Sequence, residues 1–488
     1  MTMMAITLLL PLTGGILMAM LRFRRRALLR AFVALITLGT SALTAVLCVR
    51  PPEGTLSFLP FTEELTLALR VDGVGRALMA LLAFLWPLAV LYAFEYMEHE
   101  ERPKAFFAWY TLSYFAVLGV AMAANLFTLY FFFECVTLCT LPLVTHKRDA
   151  ASVRAGRRYL VYSLTGAVMA FAGMILLTRH GAGLDFLPGV GLRREAGLDE
   201  NLMRGAFLAA FIGFSVKAAM FPLHAWLPAA SVAPTPVTAL LHAVAVVNAG
   251  AFACLRLTWY ACGTDWLFGT WAQTAVLCLT LFTVLFGSAM AVREQHLKRR
   301  LAYSTVSNLS YILFGVALMT PAGMTGALTH LLAHGLTKIV LFYCAGAILI
   351  RTDREYVQDL RGMGRAMPAT FAAFTLAGLS LIGTPPLAGF LGKWNLLTAA
   401  ADSGIALGTA GIGVILISAV LTAIYIMSVV AYAFFLPAGE SGVLPAGRRL
   451  DPSWRMLLPL AAIGIAILMT GLGGASVTQF LNAAIQIN

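Results

Sequence analysis

Charged residues are scarce in this 488-residue sequence, where Asp, Glu, Lys and Arg together make up 11% of the chain. A water-soluble protein carries roughly 25% charged residues. Hydrophobic residues make up 60%, and the mean hydropathy is +0.85. These proportions argue against a secreted protein, an ordinary cytosolic enzyme or a nucleic-acid-binding protein, and they predict an integral membrane protein.

Patterns that bind cofactors are also missing. The seven cysteines include no Cys-x-x-Cys pair, so they predict neither an iron-sulfur cluster nor a zinc site. Cys135 and Cys139 are one helical turn apart, but two thiols without further ligands indicate packing. The sequence has no nucleotide-binding loop and no nucleophile constellation. A self-contained enzyme is therefore the least favoured interpretation, and no metal or cofactor is expected in this chain.

The first apolar run does not have the order of a secretory signal peptide. Its basic residues, Arg22 and Arg24–Arg26, follow the apolar stretch instead of preceding it. This order predicts a first membrane span whose amino terminus lies outside.

Apolar runs of about 18 residues or more predict membrane-spanning helices. Fourteen such runs lie at 4–21, 28–49, 74–96, 105–123, 125–145, 159–178, 204–222, 236–259, 269–292, 301–319, 322–350, 369–398, 405–436 and 455–475. The eleventh and twelfth runs are long for one crossing, which indicates a tilted or broken helix. An even number of spans places both termini outside.

The positions of Lys and Arg support this count, because cytoplasmic loops are enriched in them. Alternate loops hold twenty-three of the thirty-four Lys and Arg residues, and the opposite loops and helix ends hold eight. This pattern accounts for the net charge of +12 and predicts a multi-pass membrane protein whose basic loops face the cytoplasm. Between the second and third spans, partial alternation in 54–74 and a turn at Asp72-Gly73 predict a short external hairpin.

Four ionisable residues lie inside predicted spans: Glu134, Lys217, Lys338 and Lys393. Each costs roughly 2.5 to 3.5 kcal/mol to place at bilayer depth, so together they indicate an ion pathway or a paired structure. Prolines crowd the chain after Lys217 and just before Lys393, which predicts two broken helices. The two breaks are five spans apart.

This spacing predicts a duplicated five-helix unit, and the odd number of helices inverts one copy relative to the other. The predicted organisation is a three-helix segment with the hairpin at 1–104, a first repeat at 105–259, a second repeat at 269–436, and a loop with the final helix at 437–488.

Between the breaks, THLLAHGLTKIVLF places His330, His334 and Lys338 four residues apart, along one face of a helix. Neutral imidazole and desolvated lysine exchange protons near ambient pH, so the row favours a proton relay. A single buried Lys or His more often has a structural role, and the relay interpretation depends on all these groups together. His242 is a further candidate, and His224 is a weaker one because it lies at a helix end.

Four stretches carry a family resemblance: FFFECVTLCTLPLV, FSVKAAMFPLHAWLPAASVAPTPVTALLHA, HLLAHGLTKIVLF and GTPPLAGFLGKWNLL. They resemble the antiporter-like subunits shared by respiratory complex I, energy-converting membrane-bound hydrogenases and Mrp cation/proton antiporters. The resemblance spans about residues 90 to 400. It implies an all-α polytopic membrane fold of about fourteen helices, with two inverted five-helix repeats, broken seventh and twelfth helices, and a hydrated polar axis.

The resemblance also implies roles for individual residues. Glu134 is similar to the fifth-helix glutamate that pairs with the seventh-helix lysine, here Lys217. Lys338 resembles the basic residue of the eleventh helix, with His330 and His334 beside it, and Lys393 resembles the terminal lysine of the twelfth. Many relatives have a lysine in the eighth helix where this chain has Asn248, so the link between the halves would depend on His242 and water.

By resemblance, the chain is a proton-translocating subunit of a redox-driven complex, of the energy-converting hydrogenase or NADH:quinone oxidoreductase type. Its partners would be other membrane subunits and a peripheral redox arm that carries iron-sulfur clusters and nickel or flavin. One alternative is a subunit of a multi-subunit Mrp-type sodium/proton antiporter, and another is a non-conducting scaffold, which Asn248 favours. The chain ends soon after the fourteenth span, which fits an M, N or Mrp D type of subunit. The sequence leaves H⁺ and Na⁺ open, since Glu134 alone supplies too few oxygen ligands to predict a sodium site.

Overall fold

The computed structural model describes residues 1–62, 65–180, 185–186, 199–436 and 449–486. In the first half of the chain it contains helices α1 Thr2–Met20, α2 Arg26–Val49, α3 Gly73–Tyr96, α4 Pro103–Met122, α5 Leu126–Val144, α6 Ala150–His180, α7 Glu200–Ser215, α8 Trp226–Ala229, α9 Thr235–Ala243 and α10 Val246–Arg256. Strands β1 Leu56–Pro60 and β2 Thr66–Leu69 lie between α2 and α3. A 3₁₀ turn at Ala230–Val232 follows α8, and a π-helical turn at Leu257–Cys262 follows α10.

The second half continues with helices throughout. It contains α11 Thr264–Leu267, α12 Trp271–Arg293, α13 Leu297–Ala317, α14 Pro321–Thr352, α15 Met363–Ala366, α16 Pro368–Ile382, α17 Ala388–Asp402, α18 Ala406–Phe434, α19 Trp454–Leu472 and α20 Gly474–Gln486. A 3₁₀ turn at Val357–Leu360 precedes α15.

Among the described residues, eleven helical segments are long and apolar enough to cross a membrane. The other three predicted spans correspond to α7, α13 and the pair α16–α17. α7 has 16 residues, α16 and α17 have 15 each, and α13 carries many polar side chains. The all-α polytopic membrane fold is confirmed.

Both predicted helix breaks are present. α7 ends at Ser215, and α-helix resumes only at Trp226 after a segment that contains Pro222. α16 ends at Ile382 and α17 begins at Ala388. Gly383 closes α16 with φ +100°, a conformation that residues with a Cβ rarely adopt. The breaks expose backbone carbonyl groups inside the membrane region, where polar side chains can reach them.

The eighth span contains a third break that the sequence did not predict. α9 ends at Ala243 and α10 begins at Val246, with no proline or glycine between them. The amide of Asn248 donates to the carbonyl oxygen of Ala243 at 3.0 Å, which replaces a backbone hydrogen bond at the kink. By contrast, α14 runs unbroken for 32 residues, so its length reflects a long helix and not a break.

The two five-helix units have matching neighbours. α4 packs on α5 as α12 packs on α13, and α6 packs on α7 and α8 as α14 packs on α16 and α17. This repeated pairing agrees with a duplicated unit, whereas the residue boundaries given for the repeats stay predictions.

The hairpin between α2 and α3 is present, with Leu56 opposite Leu69 in an antiparallel pair. Its turn does not lie at Asp72-Gly73, and that part of the prediction was wrong. Asp72 is the N-cap of α3, where its Oδ1 accepts from the Gly75 amide at 2.7 Å. Aspartate favours both turns and helix N-caps, so sequence alone did not separate the two.

Among the eleven apolar helical segments of membrane-spanning length, burial is greatest in the eighth and eleventh spans. The most apolar windows of Thr235–Cys262 and Pro321–Thr352 are 100% and 89% buried, whereas those of α1, α2 and α19 are between 33% and 39% buried. The central helices carry the polar groups, and the outer helices present apolar side chains to lipid.

Candidate functional site

The first ionisable centre forms where the seventh span is broken. Lys217 lies two residues past α7, and its side chain is fully buried. Its Nζ donates to the backbone carbonyl of Phe133 and lies 3.5 Å from Glu134 Oε1. The same Nζ lies 3.4 Å from the centroid of the Phe133 ring, and a desolvated cation–π contact of this kind contributes about 2 kcal/mol. The structure therefore brings the predicted pair together.

The two members of this pair differ in exposure. The Lys217 side chain is 1% exposed, whereas the Glu134 side chain is 24% exposed. Residues one turn away on the same face, Phe131 and Leu138, are 39% and 63% exposed. Glu134 therefore reaches a lateral apolar surface at membrane depth, while its lysine partner points into the protein.

Close packing fixes the backbone around Lys217. Gly250 on α10 touches this segment, because a Cβ added there would lie 2.5 Å from Ala218 N and 2.9 Å from Lys217 Cβ. The Trp226 indole donates to Val216 O at 2.8 Å, which ties the residues after the break to those before it. The lysine position is set by these contacts and not by a continuous helix.

The second centre lies on α14, where His330, His334 and Lys338 are all buried. Lys338 Nζ donates to Leu301 O at 3.1 Å and to the Ser304 hydroxyl. Neither nitrogen of His334 has a hydrogen-bond partner within the described part of the chain. Buried polar atoms rarely go unpaired, and a bound water is the usual partner where the protein supplies none.

Sequence reasoning missed a stripe of polar side chains on α13, made of Ser304, Asn308 and Tyr311. Ser304 contacts Lys338, and its carbonyl accepts from the Asn308 amide at 2.7 Å. His330 Nε2 donates to Asn308 Oδ1 at 3.3 Å. The signal was present as spacings of four and three residues in a polar transmembrane helix, so this stripe could have been found.

The third centre is Lys393 on α17, beside the second helix break. Its Nζ donates to the carbonyl oxygens of Leu381 and Ile382, both at 2.9 Å. These carbonyls are at the C-terminus of α16, where the helix dipole favours a cation. Tyr311 lies between the second and third centres, since its ring is 5.2 Å from the His330 ring and 5.4 Å from Lys393 Nζ.

His242 connects the two halves of the molecule at the end of α9. Its ring stacks on Phe342 of α14 with centroids 4.5 Å apart, one turn from Lys338. Both nitrogens of His242 and the Asn248 side-chain oxygen are buried without a partner among the described residues. The side chains around the kink at α9–α10 therefore leave polar atoms that water could bridge.

His224 lies apart from these centres. It is half-buried in the segment between α7 and α8, and its ring packs 4.7 Å from that of Phe286 and 5.7 Å from that of Phe221. None of the hydrogen bonds described for the relay groups involves His224.

A buried ion pair away from these centres was also missed. Arg256, at the end of α10, is fully buried and donates to Asp72 Oδ1 at 2.6 Å. The guanidinium lies between the rings of Phe186, Phe252 and Tyr260, at 5.2, 5.0 and 4.8 Å. The two residues are 184 positions apart, and the sequence patterns assigned Asp72 to a turn and Arg256 to a helix end.

The described residues contain no group of three or more His, Cys, Asp or Glu that could hold a metal ion. Cys135 and Cys139 are both half-buried free thiols.

The chain matches a known protein family. A family profile described as NADH:quinone oxidoreductase/Mrp antiporter, TM, covers residues 123–429, which is more than half of the chain. NADH-quinone oxidoreductase subunit N of Desulforudis audaxviator is 31% identical over 463 residues, which cover 92% of this chain and 90% of that protein.

Two solved structures have a similar backbone. A chain of the membrane-bound sulfane sulfur reductase, an archaeal respiratory membrane complex, has a TM-score of 0.86 at 21% identity and covers 99% of this chain and 97% of its own. A chain of the Mrp complex from Dietzia sp. has a TM-score of 0.85 at 22% identity, with the same coverage. With its broken membrane helices and buried lysines, this chain belongs to the antiporter-like membrane subunits of the NADH:quinone oxidoreductase/Mrp antiporter family.

Proposed function

We propose that this chain translocates protons as a membrane subunit of a redox-driven complex, of the energy-converting hydrogenase or NADH:quinone oxidoreductase type. The observation that carries the proposal is a series of buried lysines, with Lys217 and Lys393 beside helix breaks and Lys338 on the unbroken helix α14. Such groups are costly at bilayer depth and are retained where ions move. In this account Glu134, Lys217, Lys338 and Lys393 form the relay, and His242, His330 and His334 assist it.

The Glu134–Lys217 pair is the loading point of the relay. Two unit charges about 4 Å apart attract by roughly 4 kcal/mol at an effective dielectric constant of about 20. This energy is large enough to decide whether Lys217 keeps its proton. Movement of Glu134 away from Lys217 would release a proton toward the central helices, and its return would favour reloading.

The second and third centres accept and pass on this proton. Lys338 and Lys393 are held by carbonyl and hydroxyl oxygens, and neither has a carboxylate within 4.0 Å among the described residues. A protonated lysine at one centre repels a proton at the other, so the charge is driven onward. Ser304, Asn308 and His330 supply hydrogen-bonding groups between the two. Water at His242 and His334 would complete the route from Lys217.

Partners follow from the surface position of Glu134 and from the relatives, which belong to multi-subunit membrane complexes. A carboxylate between exposed Phe131 and Leu138 is unfavourable against lipid. A neighbouring membrane subunit would cover this face and could move the carboxylate. We further propose a peripheral redox arm with iron-sulfur clusters and nickel or flavin on partner subunits. The membrane is then a prokaryotic cytoplasmic membrane, with both termini outside.

The second candidate is a subunit of a multi-subunit Mrp-type sodium/proton antiporter, which the similar backbone of the Mrp chain favours. The two candidates differ in their partners. Gentle purification from the native membrane followed by mass spectrometry separates them. Iron-sulfur and nickel or flavin subunits support the redox-driven complex, whereas membrane subunits alone support the antiporter.

The loading role is tested by the substitution Glu134→Gln, which removes the charge and keeps the shape. We expect proton translocation by the assembled complex to fall about tenfold or more, equivalent to about 1.4 kcal/mol or more on the limiting step. The control is Glu100→Gln, which removes a surface carboxylate that pairs with Lys147 at 3.6 Å. Normal translocation by an assembled Glu134→Gln complex would show that this carboxylate does not load the relay.

A further inference from the structure

A pocket of about 420 Å³ lies on the face of the molecule that the basic loops assign to the cytoplasm. It is formed where the first turns of α6 meet α8, the 3₁₀ turn after α8 and the start of α13. Three arginines line it, Arg154, Arg158 and Arg299, together with Tyr303. Alanines make up most of the rest of the wall, which leaves space for a ligand. We call this site the arginine pocket.

The arginines of this pocket are unpaired in the described part of the chain. None of the three has a carboxylate oxygen within 4.0 Å. Glu294 also lines the pocket, but its Oε1 accepts from the backbone amide of His296 at 3.0 Å. The lining has a formal charge of +2, three arginines less one glutamate. Guanidinium groups match the oxygens of a phosphate with parallel N–H donors, so the pocket suits a phosphate group.

An aromatic surface continues from the pocket. The Tyr303 ring lies 6.5 Å from that of His224, which lies 4.7 Å from the Phe286 ring. The Phe286 ring in turn lies 5.2 Å from that of Phe221 and 6.1 Å from that of Phe282. Phe282 is 51% exposed, and Phe221 and Phe286 are half-buried. These three phenylalanines form an aromatic strip that adjoins the arginine pocket.

The aromatic strip lies at the depth of lipid chains. α12 ends at Arg293, and at 1.5 Å per residue Phe286 and Phe282 precede that end by about 10 and 16 Å. The hydrocarbon of one leaflet is about 15 Å thick. The rings therefore lie within the cytoplasmic leaflet, beneath the arginines. A soluble phosphate would use the pocket alone, whereas a phospholipid would use both the pocket and the strip.

We propose that an anionic phospholipid of the cytoplasmic leaflet binds here, with its phosphate in the arginine pocket and an acyl chain on the aromatic strip. A lipid with net negative charge matches the charge of the lining, whereas the choline group of phosphatidylcholine would be repelled by the arginines. Phe221 lies in the segment between α7 and α8, so the lipid would cover the break of the seventh span. Binding here requires none of the relay lysines.

The first test uses phosphatidylglycerol with a photoactivatable diazirine in its acyl chain, in liposomes that contain the intact complex. Illumination should attach this lipid to the peptide of α12 that contains Phe282 and Phe286. Phosphatidylcholine with the same acyl chains should attach at least about fivefold less. Equal attachment of the two lipids would overturn recognition of the headgroup. Failure of both to attach would show that a neighbouring subunit covers the strip, and would also overturn the proposal.

The second test removes charge from the pocket with Arg154→Gln/Arg158→Gln. Attachment of phosphatidylglycerol should fall to the level of phosphatidylcholine in the same variant. Because both lipids are compared in one variant, a partial folding defect affects them equally. The control Arg148→Gln/Arg157→Gln removes the same charge from exposed residues outside the lining, and it should keep the preference. Equal loss in the two variants would show that the general charge of this loop attracts the lipid, which would overturn the pocket.

The third test fills the pocket without a change of charge. Ala151 lines the pocket and is exposed, so the indole of Ala151→Trp should block the phosphate and abolish the preference for phosphatidylglycerol. Val153→Trp is the control, because Val153 is 46% exposed and lies outside the lining. An unchanged preference in Ala151→Trp would contradict binding in the pocket.

Inorganic phosphate separates a lipid site from a site for a soluble anion. Excess phosphate should leave most of the phosphatidylglycerol attachment in place, since the free ion makes no contact with the aromatic strip. Complete loss of attachment in phosphate would show that the pocket binds a soluble anion, and would overturn the lipid site.

Discussion

The three lysines of the proposed relay differ in the groups that surround their charge. Lys217 faces a carboxylate, a carbonyl and an aromatic ring, whereas Lys338 and Lys393 contact only neutral oxygens and, for Lys393, the Tyr311 ring. A charge held by neutral dipoles is less firmly fixed than one held by a countercharge. The first lysine is therefore suited to storing a proton, and the other two are suited to passing it on.

At the residue scale, Asn308 links His330 to Ser304, the partner of Lys338, within the second centre, and its substitution tests that connection. Asn308→Leu removes the bonds to Ser304 O and His330, so we expect proton flux to fall about tenfold or more. The measurement is flux in proteoliposomes that contain the assembled complex. Ser310→Ala is the control, because Ser310 bonds only to Val306 O of its own helix and should leave flux unchanged. Equal flux in the two variants would remove Asn308 from the path.

At the element scale, the broken helices place charged groups beside free backbone carbonyls. The prolines after Lys217 and before Lys393 made two of these breaks predictable, because proline cannot continue a helix. The break at Val244–Ala245 was not predictable, since neither residue disfavours helix strongly. It depends on the tertiary contact that seats α10 against Lys217 and on the Asn248 side chain that bonds at the kink.

Gly250 on α10 is the residue that permits this close approach. Gly250→Ala would force a Cβ to 2.5 Å from Ala218 N, and overpacking of this kind costs about 1 to 3 kcal/mol. We expect a lower thermal midpoint of the purified protein and reduced proton flux, since Lys217 would be displaced. The control is Gly205→Ala on α7, where an added Cβ meets nothing within 4 Å. That change should be neutral or stabilise by up to about 1 kcal/mol. Similar midpoints for the two variants would contradict the packing account.

At the scale of the whole molecule, the Asp72–Arg256 pair joins the first three helices to the first repeat. Asp72 caps α3, and Arg256 ends α10. A long-range pair of this kind cannot be read from a single sequence, because both residues lie where exposed helix-end charges are also common. Hydropathy and charge asymmetry therefore predicted the spans and the lysines inside them, but not the Asp72–Arg256 pair or the oxygen partners of Lys338 and Lys393.

Loss of Arg256 should destabilise the fold. Arg256→Met keeps much of the side-chain volume but leaves Asp72 buried without its closest countercharge, with Arg70 4.0 Å away. Removal of one partner from a buried pair costs about 3 to 5 kcal/mol, which should appear as a clearly lower thermal midpoint. Arg30→Met removes a surface pair with Glu98 and should cost less than about 1 kcal/mol. Comparable midpoints for the two variants would show that the buried pair contributes little.

The most direct test of the central claim is proton translocation by the purified complex with the substitution Lys217→Ala, reconstituted in liposomes. Lys147→Ala, which removes an exposed lysine, is measured beside it. The proton relay predicts that the Lys217→Ala complex assembles with its partners and that its proton translocation falls at least about tenfold. The Lys147→Ala complex should translocate protons normally. Full translocation by a correctly assembled Lys217→Ala complex would contradict the relay.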